Sequence, residues 1–441
     1  MPRFPGPHSQ RLLHELGRYV IADPQPFVVD VAASQGMWLA TVDGDRIFDW
    51  AGYYGSKLLS HNHPCLQEPQ YQEQLLIAAN NKVPNPDFLT PACLAYYRLL
   101  HELAPRCMRG ETLEVYVVNS GAEAVENMMK YLINLHAEKM RAAGKQPLVR
   151  RFIYFDRAFH GRTIGALNVT NLGHDPIVTK DFHEFIPGNI RVPFPHVDNS
   201  RPEAENDGEI RQTIDIVERC LARYRDEVVG IILEPIQGAG GHRMARPAFF
   251  QRLSELAAEY EVGLAFDEVQ TAGGQCGAVF AIDCLALPHP PDAVAVAKKF
   301  GNGAIFMKRP MVDYGVLDST WGGSLTDMVR FVQEMMFVRR ADLIRKVQPK
   351  TDLLVAGLGE LQERFPGLIF NVRGLGLYQG FSLRNPEHKH RLIEQALEEE
   401  SLLLLGAGAQ TIRLRPPLDV SEADISLFLE MLQRRLAALA A

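Results

Sequence analysis

A lysine and an acid stand directly after two apolar segments of the chain. Asp267 follows segment 262–266, and Lys298 follows segment 293–297. Desolvation lowers the pKa of a lysine, so that its free amine can attack a carbonyl carbon. A carboxylate that follows a buried strand needs a cation or a hydrogen-bond donor as its partner. The lysine therefore indicates a ligand with a carbonyl group, and the acid indicates that the same ligand carries a positive charge.

A small-residue loop follows a third apolar segment, 115–118. Gly121 lets the backbone approach a ligand closely, Ser120 adds a hydroxyl, and the predicted helix after them points its first N–H groups outward. Such a helix start binds anions and suits a phosphate group, although the same residues are also typical of an ordinary turn and cap. Pyridoxal phosphate (PLP) is the cofactor that these groups predict. The carboxylate would pair with its protonated pyridine nitrogen, the amine would react with its aldehyde, and the helix start would bind its phosphate.

The elements that must position these residues alternate between strands and helices. Helical spacing of apolar residues occurs at 125–136, 210–224 and 249–260, with Pro247 suited to a first helical turn. The predicted strands are 115–118, 152–155, 228–233, 262–266 and 293–297. Their uninterrupted apolar character favours a parallel sheet covered on both faces. Ligands bind beyond the carboxyl ends of such strands, so Glu234, Asp267, Lys298 and the loop at Gly121 are expected on one rim.

The two ends of the chain differ from this middle region. Strand-like segments occur at 27–31, 37–41, 368–372 and 377–383, and a final helix is predicted from Glu422. We expect a large α/β domain at 65–334 and a smaller α+β domain formed by 1–64 together with 335–441.

Composition favours an ordinary globular enzyme. Apolar residues make up 46% and charged residues 22%, and the net charge of −7 is spread without long runs of one sign. This disfavours nucleic-acid and membrane partners. No apolar run reaches the roughly 18 residues that span a bilayer, and the first residues lack the apolar segment of a secretory leader. A cytoplasmic location is therefore expected, and no metal site is predicted.

The motifs resemble those of the class III, or ω-type, PLP-dependent aminotransferases. Some stretches are most similar to the lysine 6-aminotransferases of that class. The class motifs are Ser120-Gly121-Ala122-Glu123-Ala124, Phe159-His160-Gly161-Arg162-Thr163, Glu234-Pro235-Ile236-Gln237-Gly238, Asp267-Glu268-Val269-Gln270 and Pro291-Asp292 with Lys298. The lysine-enzyme stretches are His61-Asn62-His63-Pro64, Asn81-Lys82, Ser319-Thr320-Trp321-Gly322-Gly323 and Thr411-Ile412-Arg413-Leu414-Arg415-Pro416-Pro417. The resemblance implies PLP fold type I, with a mixed but mostly parallel sheet.

The resemblance also implies roles around the cofactor ring. Lys298 would hold PLP as a Schiff base and later move the proton, while Asp267 would pair with the ring nitrogen. Val269 and Phe159 would cover the two ring faces, and Gln270 would bond the ring hydroxyl. Alternatively, Asp267 could be a structural residue that caps its own loop. Lys298 could likewise be a surface lysine with its ammonium group in water, which is what we predict for Lys299.

The same resemblance implies which residues bind the phosphate and that a second subunit contributes to the site. Ser120, Gly121 and Ala122 would hold the phosphate. Thr320 would reach the phosphate of the other subunit, which implies a homodimer with active sites at the interface. Lys298 lies six residues after Asp292, the spacing of the family, and is preferred over Lys299 as the anchor.

Substrate carboxylates are expected at two arginines. Arg162 resembles the family residue for the distal carboxylate, and Arg413 the one for the carboxylate near the reacting amine; a solvated loop arginine is the alternative for Arg162. Guanidinium groups suit this role through bidentate pairing. The glutamate that masks Arg413 in such enzymes is replaced by Ala239. Tyr54 could bond a substrate carboxylate or simply pack.

The resulting expectation is a transaminase that moves an amino group between lysine, or a similar diamino or ω-amino acid, and 2-oxoglutarate by ping-pong chemistry. The unmasked Arg413 leaves open a donor that carries a carboxylate beside its reacting amine. A non-transaminating PLP enzyme and a PLP-binding regulatory protein are the remaining alternatives.

Overall fold

The computed structural model describes residues 3–110, 112–182, 185–311, 313 and 315–441. Its strands, numbered in chain order, are β1 Val29–Gln35, β2 Trp38–Thr41, β3 Arg46–Asp49, β4 Glu114–Val118, β5 Arg151–Phe155, β6 Ile190–Val192, β7 Val228–Leu233, β8 Ile236–Gln237, β9 Arg243–Met244, β10 Gly263–Asp267, β11 Ala293–Val296, β12 Gly303–Met307, β13 Ile369–Leu375, β14 Tyr378–Leu383, β15 Leu402–Leu403, β16 Leu405–Ala407 and β17 Thr411–Arg413. Its helices are α1 Pro7–Leu16, α2 Gly52–Gly55, α3 Pro69–Ala79, α4 Pro91–Leu103, α5 Gly121–Ala142, α6 Ile164–Leu167, α7 Glu203–Arg223, α8 Pro247–Glu259, α9 Leu325–Arg340, α10 Val347–Arg364, α11 Pro386–Glu400 and α12 Glu422–Ala440.

A seven-stranded sheet forms the centre of the molecule, in the order β4-β12-β11-β10-β7-β5-β6. Its strands run parallel except for β12, which is antiparallel to both of its neighbours. Every residue of β7, β11 and β12 is buried, as a sheet covered on both faces requires. The structure thus confirms the mixed, mostly parallel sheet, with its carboxyl ends on one rim.

Helices cover both faces of this sheet. On one face, Val125 and Met128 of α5 pack in a cluster with Val229 and Ile232 of β7. On the other face, Leu221 of α7 and Phe249 of α8 join a core that contains Ile231 and Leu233 of the same strand. Ile231, Ile232 and Leu233 point to alternate faces of the sheet, so β7 supplies both cores. The first turn of α5 is thereby fixed at the rim.

The two ends of the chain pair with each other. In the sheet β1-β2-β3-β15, Leu402 and Leu403 of the C-terminal region lie parallel to Phe48 and Asp49 of β3. A second sheet, β13-β14-β17-β16, is entirely C-terminal. The boundaries at 64/65 and 334/335 stay a prediction, and the second of them falls inside α9. No helix in the described residues is both long and apolar enough to cross a membrane.

Two predicted strand ends are displaced by one residue. Asp267 is the last residue of β10 rather than the first after it. Strand β11 ends at Val296, so Lys298 lies in the turn that follows. That turn places Lys298 at φ 51°, in the left-handed region, which is uncommon for a side chain other than glycine, asparagine or aspartate.

Candidate active site

A cavity of about 370 Å³ opens at the carboxyl ends of the central strands. It brings together most of the predicted site residues, and it adds His160, Glu234 and Ala239 to them. Its lining includes Ser120, Gly121, Ala122, Phe159, Arg162, Asp267, Val269, Gln270 and Lys298. Thr320 is exposed and does not line this cavity.

One end of the cavity is the start of helix α5. Ser120 is its N-cap, and the Ser120 hydroxyl accepts a hydrogen bond from Glu123 N at 3.2 Å. A Cβ at Gly121 would lie 2.8 Å from Val269 Cγ1, so no larger residue fits beside that valine. Gly121 and Ala122, the first residues of a 22-residue helix, line the cavity, and the N–H groups of a first helical turn have no partner within their helix. This end is built to hold an anion such as a phosphate.

The buried carboxylate of Asp267 is a second polar group in the lining of the cavity. Its Oδ1 accepts a hydrogen bond from Val269 N at 3.0 Å, and its Oδ2 accepts one from His160 Nδ1 at 2.8 Å. Burial favours the neutral form of His160, but the hydrogen bond and charge of Asp267, with the charge of Glu234, outweigh burial and raise the pKa of the imidazole. The two carboxylate oxygens of Asp267 are therefore bound by different donors, the backbone N of Val269 and the imidazole of His160, which hold the carboxylate in one orientation.

Glu234 is a second buried acid at the cavity wall. Its Oε1 accepts a hydrogen bond from Phe159 N at 2.9 Å, and its Oε2 accepts one from Gly238 N at 3.3 Å. Burial raises the pKa of Glu234 to about 7. The carboxyl group thus connects the Phe159 loop to the Gly238 loop.

Lys298 lines the same cavity. Its Nζ donates to Tyr54 O at 3.3 Å. Burial, followed by the charges of Arg413 and Arg415, lowers the pKa of Lys298 to about 8. The lowered pKa raises the uncharged fraction of this amine near neutral pH above that of an ordinary lysine, which favours nucleophilic attack.

The structure corrects the prediction that Lys299 is a surface lysine. Its side chain is fully buried. Its Nζ donates to Gln270 O at 2.6 Å, to the Tyr378 hydroxyl at 2.7 Å and to Gly55 O at 3.2 Å. Lys299 is absent from the cavity lining, so the amine available to a ligand there is that of Lys298.

Gln270 is oriented by a residue that sequence reasoning missed. Arg415 is fully buried, and its Nη2 and Nε donate to Gln270 Oε1 at 2.9 and 3.2 Å. Arg415 Nη2 also lies 3.1 Å from His242 Nδ1, which accepts because burial and the charge of Arg415 hold the pKa of His242 well below its usual range. With Oε1 occupied, Gln270 has its amide N–H groups left for a ligand.

The predicted substrate arginines differ in environment. Arg162 lines the cavity, is exposed, and has no described partner for its guanidinium group. Arg413 is buried, and its Nε and Nη1 lack a hydrogen-bond partner among the described residues. Burial, followed by the charge of Arg415, lowers the pKa of Arg413 to about 9. Ala239 lines the cavity and supplies no carboxylate.

The mouth of the site carries Tyr54 on an unusual turn. Tyr54 is 55% exposed, at φ 60°, and Tyr53 before it is at φ 48°. Consecutive left-handed residues with side chains are costly and are found mainly at functional sites. The turn presents Tyr54 O to Lys298.

The donor set fits PLP. The anion site at α5 suits its phosphate, the Asp267 carboxylate suits its ring nitrogen, and Lys298 suits its aldehyde. Phe159 and Val269 add apolar surface to the same lining. The cavity thus combines charged and apolar groups of the kinds that the cofactor requires.

Comparison with known proteins gives a consistent result. The family model for class III aminotransferases matches residues 19–436. An L-lysine-epsilon aminotransferase of Amycolatopsis lactamdurans is 31% identical over 447 residues, which cover 98% of this chain and 97% of the relative. The mitochondrial 4-aminobutyrate aminotransferase of Rattus norvegicus is 29% identical over 458 residues, covering 98% and 89%.

A solved structure shows the same fold. The lysine aminotransferase of M. tuberculosis in its internal aldimine form superimposes with a TM-score of 0.92 at 30% identity. The match covers 98% of this chain and 99% of the other. Fold type I is therefore confirmed for this chain.

Proposed function

The chain belongs to the class III aminotransferases, and from this membership we propose that it moves an amino group from lysine, or a similar diamino or ω-amino acid, to 2-oxoglutarate. It is a PLP-dependent transaminase. PLP withdraws electrons from the carbon that bears the reacting amine and carries the amino group between the two substrates. The observation that supports the site is that Lys298 and Asp267 line one cavity with the anion site between β4 and α5.

We assign three roles to the side chains of this cavity. Asp267, held by His160, keeps a proton on the ring nitrogen. Lys298 would anchor the aldehyde of the cofactor, and its Nζ would serve as the base that holds the proton during the transfer. Gln270, held by Arg415, donates to the ring hydroxyl. Ser120, Gly121 and Ala122 hold the phosphate, and donor and acceptor enter one cavity in turn.

Lysine is the leading donor because several similar relatives are L-lysine-epsilon aminotransferases that align over nearly the whole chain. A second candidate is a donor that carries a carboxylate beside its reacting amine. It is favoured by the buried Arg413, whose Nε and Nη1 have no partner among the described residues, because such a cation is stabilised by an incoming carboxylate.

A half-reaction experiment tests these donors directly. Purified enzyme with bound PLP is mixed with lysine, ornithine, 4-aminobutyrate or glutamate without an acceptor, and conversion of the cofactor to its amine form is followed by absorbance. We expect lysine and glutamate to convert it, with the terminal aldehyde as the lysine product. Failure of glutamate would contradict the roles of Arg162 and Arg413. Conversion by glutamate but not by lysine or 4-aminobutyrate would support the second candidate.

Ala239→Glu is expected to shift the donor preference toward terminal amines by about tenfold in relative kcat/KM, since a new carboxylate would neutralise Arg413 when no carboxylate occupies it. The measurement is the ratio of kcat/KM for 4-aminobutyrate to that for glutamate. Ala239→Gln is the matched control, with similar size and no charge. An equal shift in both variants, or none in the glutamate variant, would show that Arg413 does not distinguish these donors.

We also propose a homodimer with interface active sites. Leu76, Ile77, Phe88 and Leu89 are each more than half exposed, and such apolar surface marks a contact between subunits. Asn85 N in the same region donates to Trp321 O, which places this surface beside Thr320. The arrangement supports a Thr320 that reaches the phosphate of a partner subunit. A cytoplasmic location stays a prediction.

A further inference from the structure

A second polar cavity, of about 240 Å³, lies on the other side of the loop that contains Ala239. Ala239 lines the candidate active site, whereas Gly241, two residues later, lines this second cavity. Its cationic lining consists of Arg157, Arg243 and Arg373, with the imidazole of His196 beside them, and Asp198 is the acid among its lining residues. We name it the arginine cavity.

The buried arginines of this cavity are bonded without being neutralised. Arg373 donates to the carbonyl oxygens of Asn371, Gly241 and His242 and to the hydroxyls of Ser382 and Thr411. Arg243 donates to the carbonyl oxygens of Asp156 and Phe194 and to the side-chain oxygen of Gln237. None of these acceptors carries a charge.

Arg157 adds a third positive charge to this cavity, whereas His196 is neutral because burial and the charges of Arg373 and Arg243 lower its pKa to about 2. The side chain of Arg157 has no hydrogen bond to a described residue, and Arg243 Nε and His196 Nδ1 are buried without a partner there. Asp198 accepts from Ser200 and lies 3.7 Å from Arg201 Nε, and its charge also favours the charged form of Arg373. Burial, followed by the charge of Arg157, lowers the pKa of Arg243 to about 10, although the charges of Asp156 and Glu209 act in the opposite direction.

We propose that the arginine cavity is a binding site for a small dianion, separate from the site of transamination. Guanidinium groups pair with carboxylates and phosphates through two parallel hydrogen bonds, and Arg157, which lines the cavity, has donors for such pairing that bond to no described residue. The volume is below that of cavities which hold drug-sized ligands, so it suits inorganic phosphate or a short dicarboxylate. Both present two negative charges, which the arginines would balance.

The position of the site links it to the reaction. Arg373 holds Gly241 O and His242 O at 2.7 and 2.8 Å, so the same guanidinium faces the arginine cavity and supports the loop of Ala239. His242 in turn contacts Arg415, which holds Gln270. All five N–H groups of Arg373 are used by these contacts, so Arg373 would act on a bound dianion through its charge while it fixes this loop.

Calorimetric titration of the PLP-loaded enzyme tests the proposal, with inorganic phosphate and succinate as separate probes. Arg157→Gln removes an exposed cation of the arginine cavity, and Arg413→Gln, as the matched control, removes the carboxylate site of the active site. We expect at least one probe to bind Arg413→Gln, with an affinity that falls about tenfold or more when Arg157→Gln is added. The probe that binds more tightly identifies the phosphate or dicarboxylate source.

Two results would overturn the proposal. One is binding that disappears in Arg413→Gln but persists in Arg157→Gln, which would place the anion in the active site. The other is the absence of binding by either probe to the wild-type enzyme and to Arg413→Gln. Neither result depends on the half-reaction assay with amino donors. Absence of an anion site in the arginine cavity can therefore be distinguished from absence of the proposed transaminase activity. Arg243→Gln provides a second variant, and it should weaken the same probe.

Discussion

Lys298→Ala is expected to lower the turnover of the aminotransferase by a factor on the order of 10⁴. General acid and base catalysis by a positioned side chain alone contributes about 10² to 10⁴, and the variant also loses the covalent anchor of the cofactor. The Nζ of Lys298 is the amine that lines the cavity with Asp267. The measurement is kcat with the donor identified in the half-reaction, together with peptide mapping of the borohydride-reduced wild-type enzyme, which should place PLP on Lys298.

Lys299→Met is the matched control for that prediction. It removes a buried amine whose bonds go to Gln270 O, Gly55 O and the Tyr378 hydroxyl. We expect a loss of stability toward denaturant but retention of the reduced PLP adduct on Lys298. An adduct found on Lys299, or turnover of Lys298→Ala within tenfold of the wild type, would show that the anchor has been assigned wrongly.

The central strands were predictable because burial on both faces leaves a continuous apolar run. Strand β7 was predicted at 228–233 and is observed at Val228–Leu233. Strand β12 was not predicted, although all of its residues are buried. It begins two residues after Gly301, and its antiparallel place between β4 and β11 depends on pairing that its own sequence does not specify. The two-residue strands β8, β9 and β15 likewise exist only through their partners.

The rim of the site was predictable from the positions where strands end, whereas the contacts that orient its side chains were not. His160 and Asp267 are 107 residues apart, and Arg415 and Gln270 are 145 apart. A single sequence carries no signal for such a pair, although both partners lie in motifs that resemble the family. Lys299 was misassigned for the same reason, since its acceptors come from the distant residues Gly55 and Tyr378.

The residues with left-handed backbone conformation could not be predicted from the sequence either. Glycine signals a positive φ, but Tyr53, Tyr54 and Lys298 do not, and all three adopt one. Their conformations are held by tertiary bonds such as that from Lys298 Nζ to Tyr54 O. These strained residues meet at the mouth of the candidate active site, where local preferences are overruled by the surrounding structure.

Asp267→Asn is expected to lower turnover by roughly 10² to 10⁴, because breaking a buried charge pair costs about 3–5 kcal/mol. The amide would leave the ring nitrogen without an anionic partner. The ring nitrogen would then hold its proton less strongly, and the cofactor would be a weaker electron acceptor. It would also leave the buried imidazole of His160 beside a neutral group. The measurement is kcat for the half-reaction, together with the affinity of the apoenzyme for PLP.

His160→Gln separates the two contributions of this pair. It keeps the charge of Asp267 and removes the 2.8 Å hydrogen bond that orients the carboxylate. If charge at the ring nitrogen dominates, His160→Gln loses much less turnover than Asp267→Asn, and its PLP affinity changes little. Equal losses in the two variants would mean that orientation by His160 carries the effect. Turnover of Asp267→Asn within tenfold of wild type would remove Asp267 from the proposed chemistry, since an acid that pairs with the ring nitrogen cannot be neutralised at so small a cost.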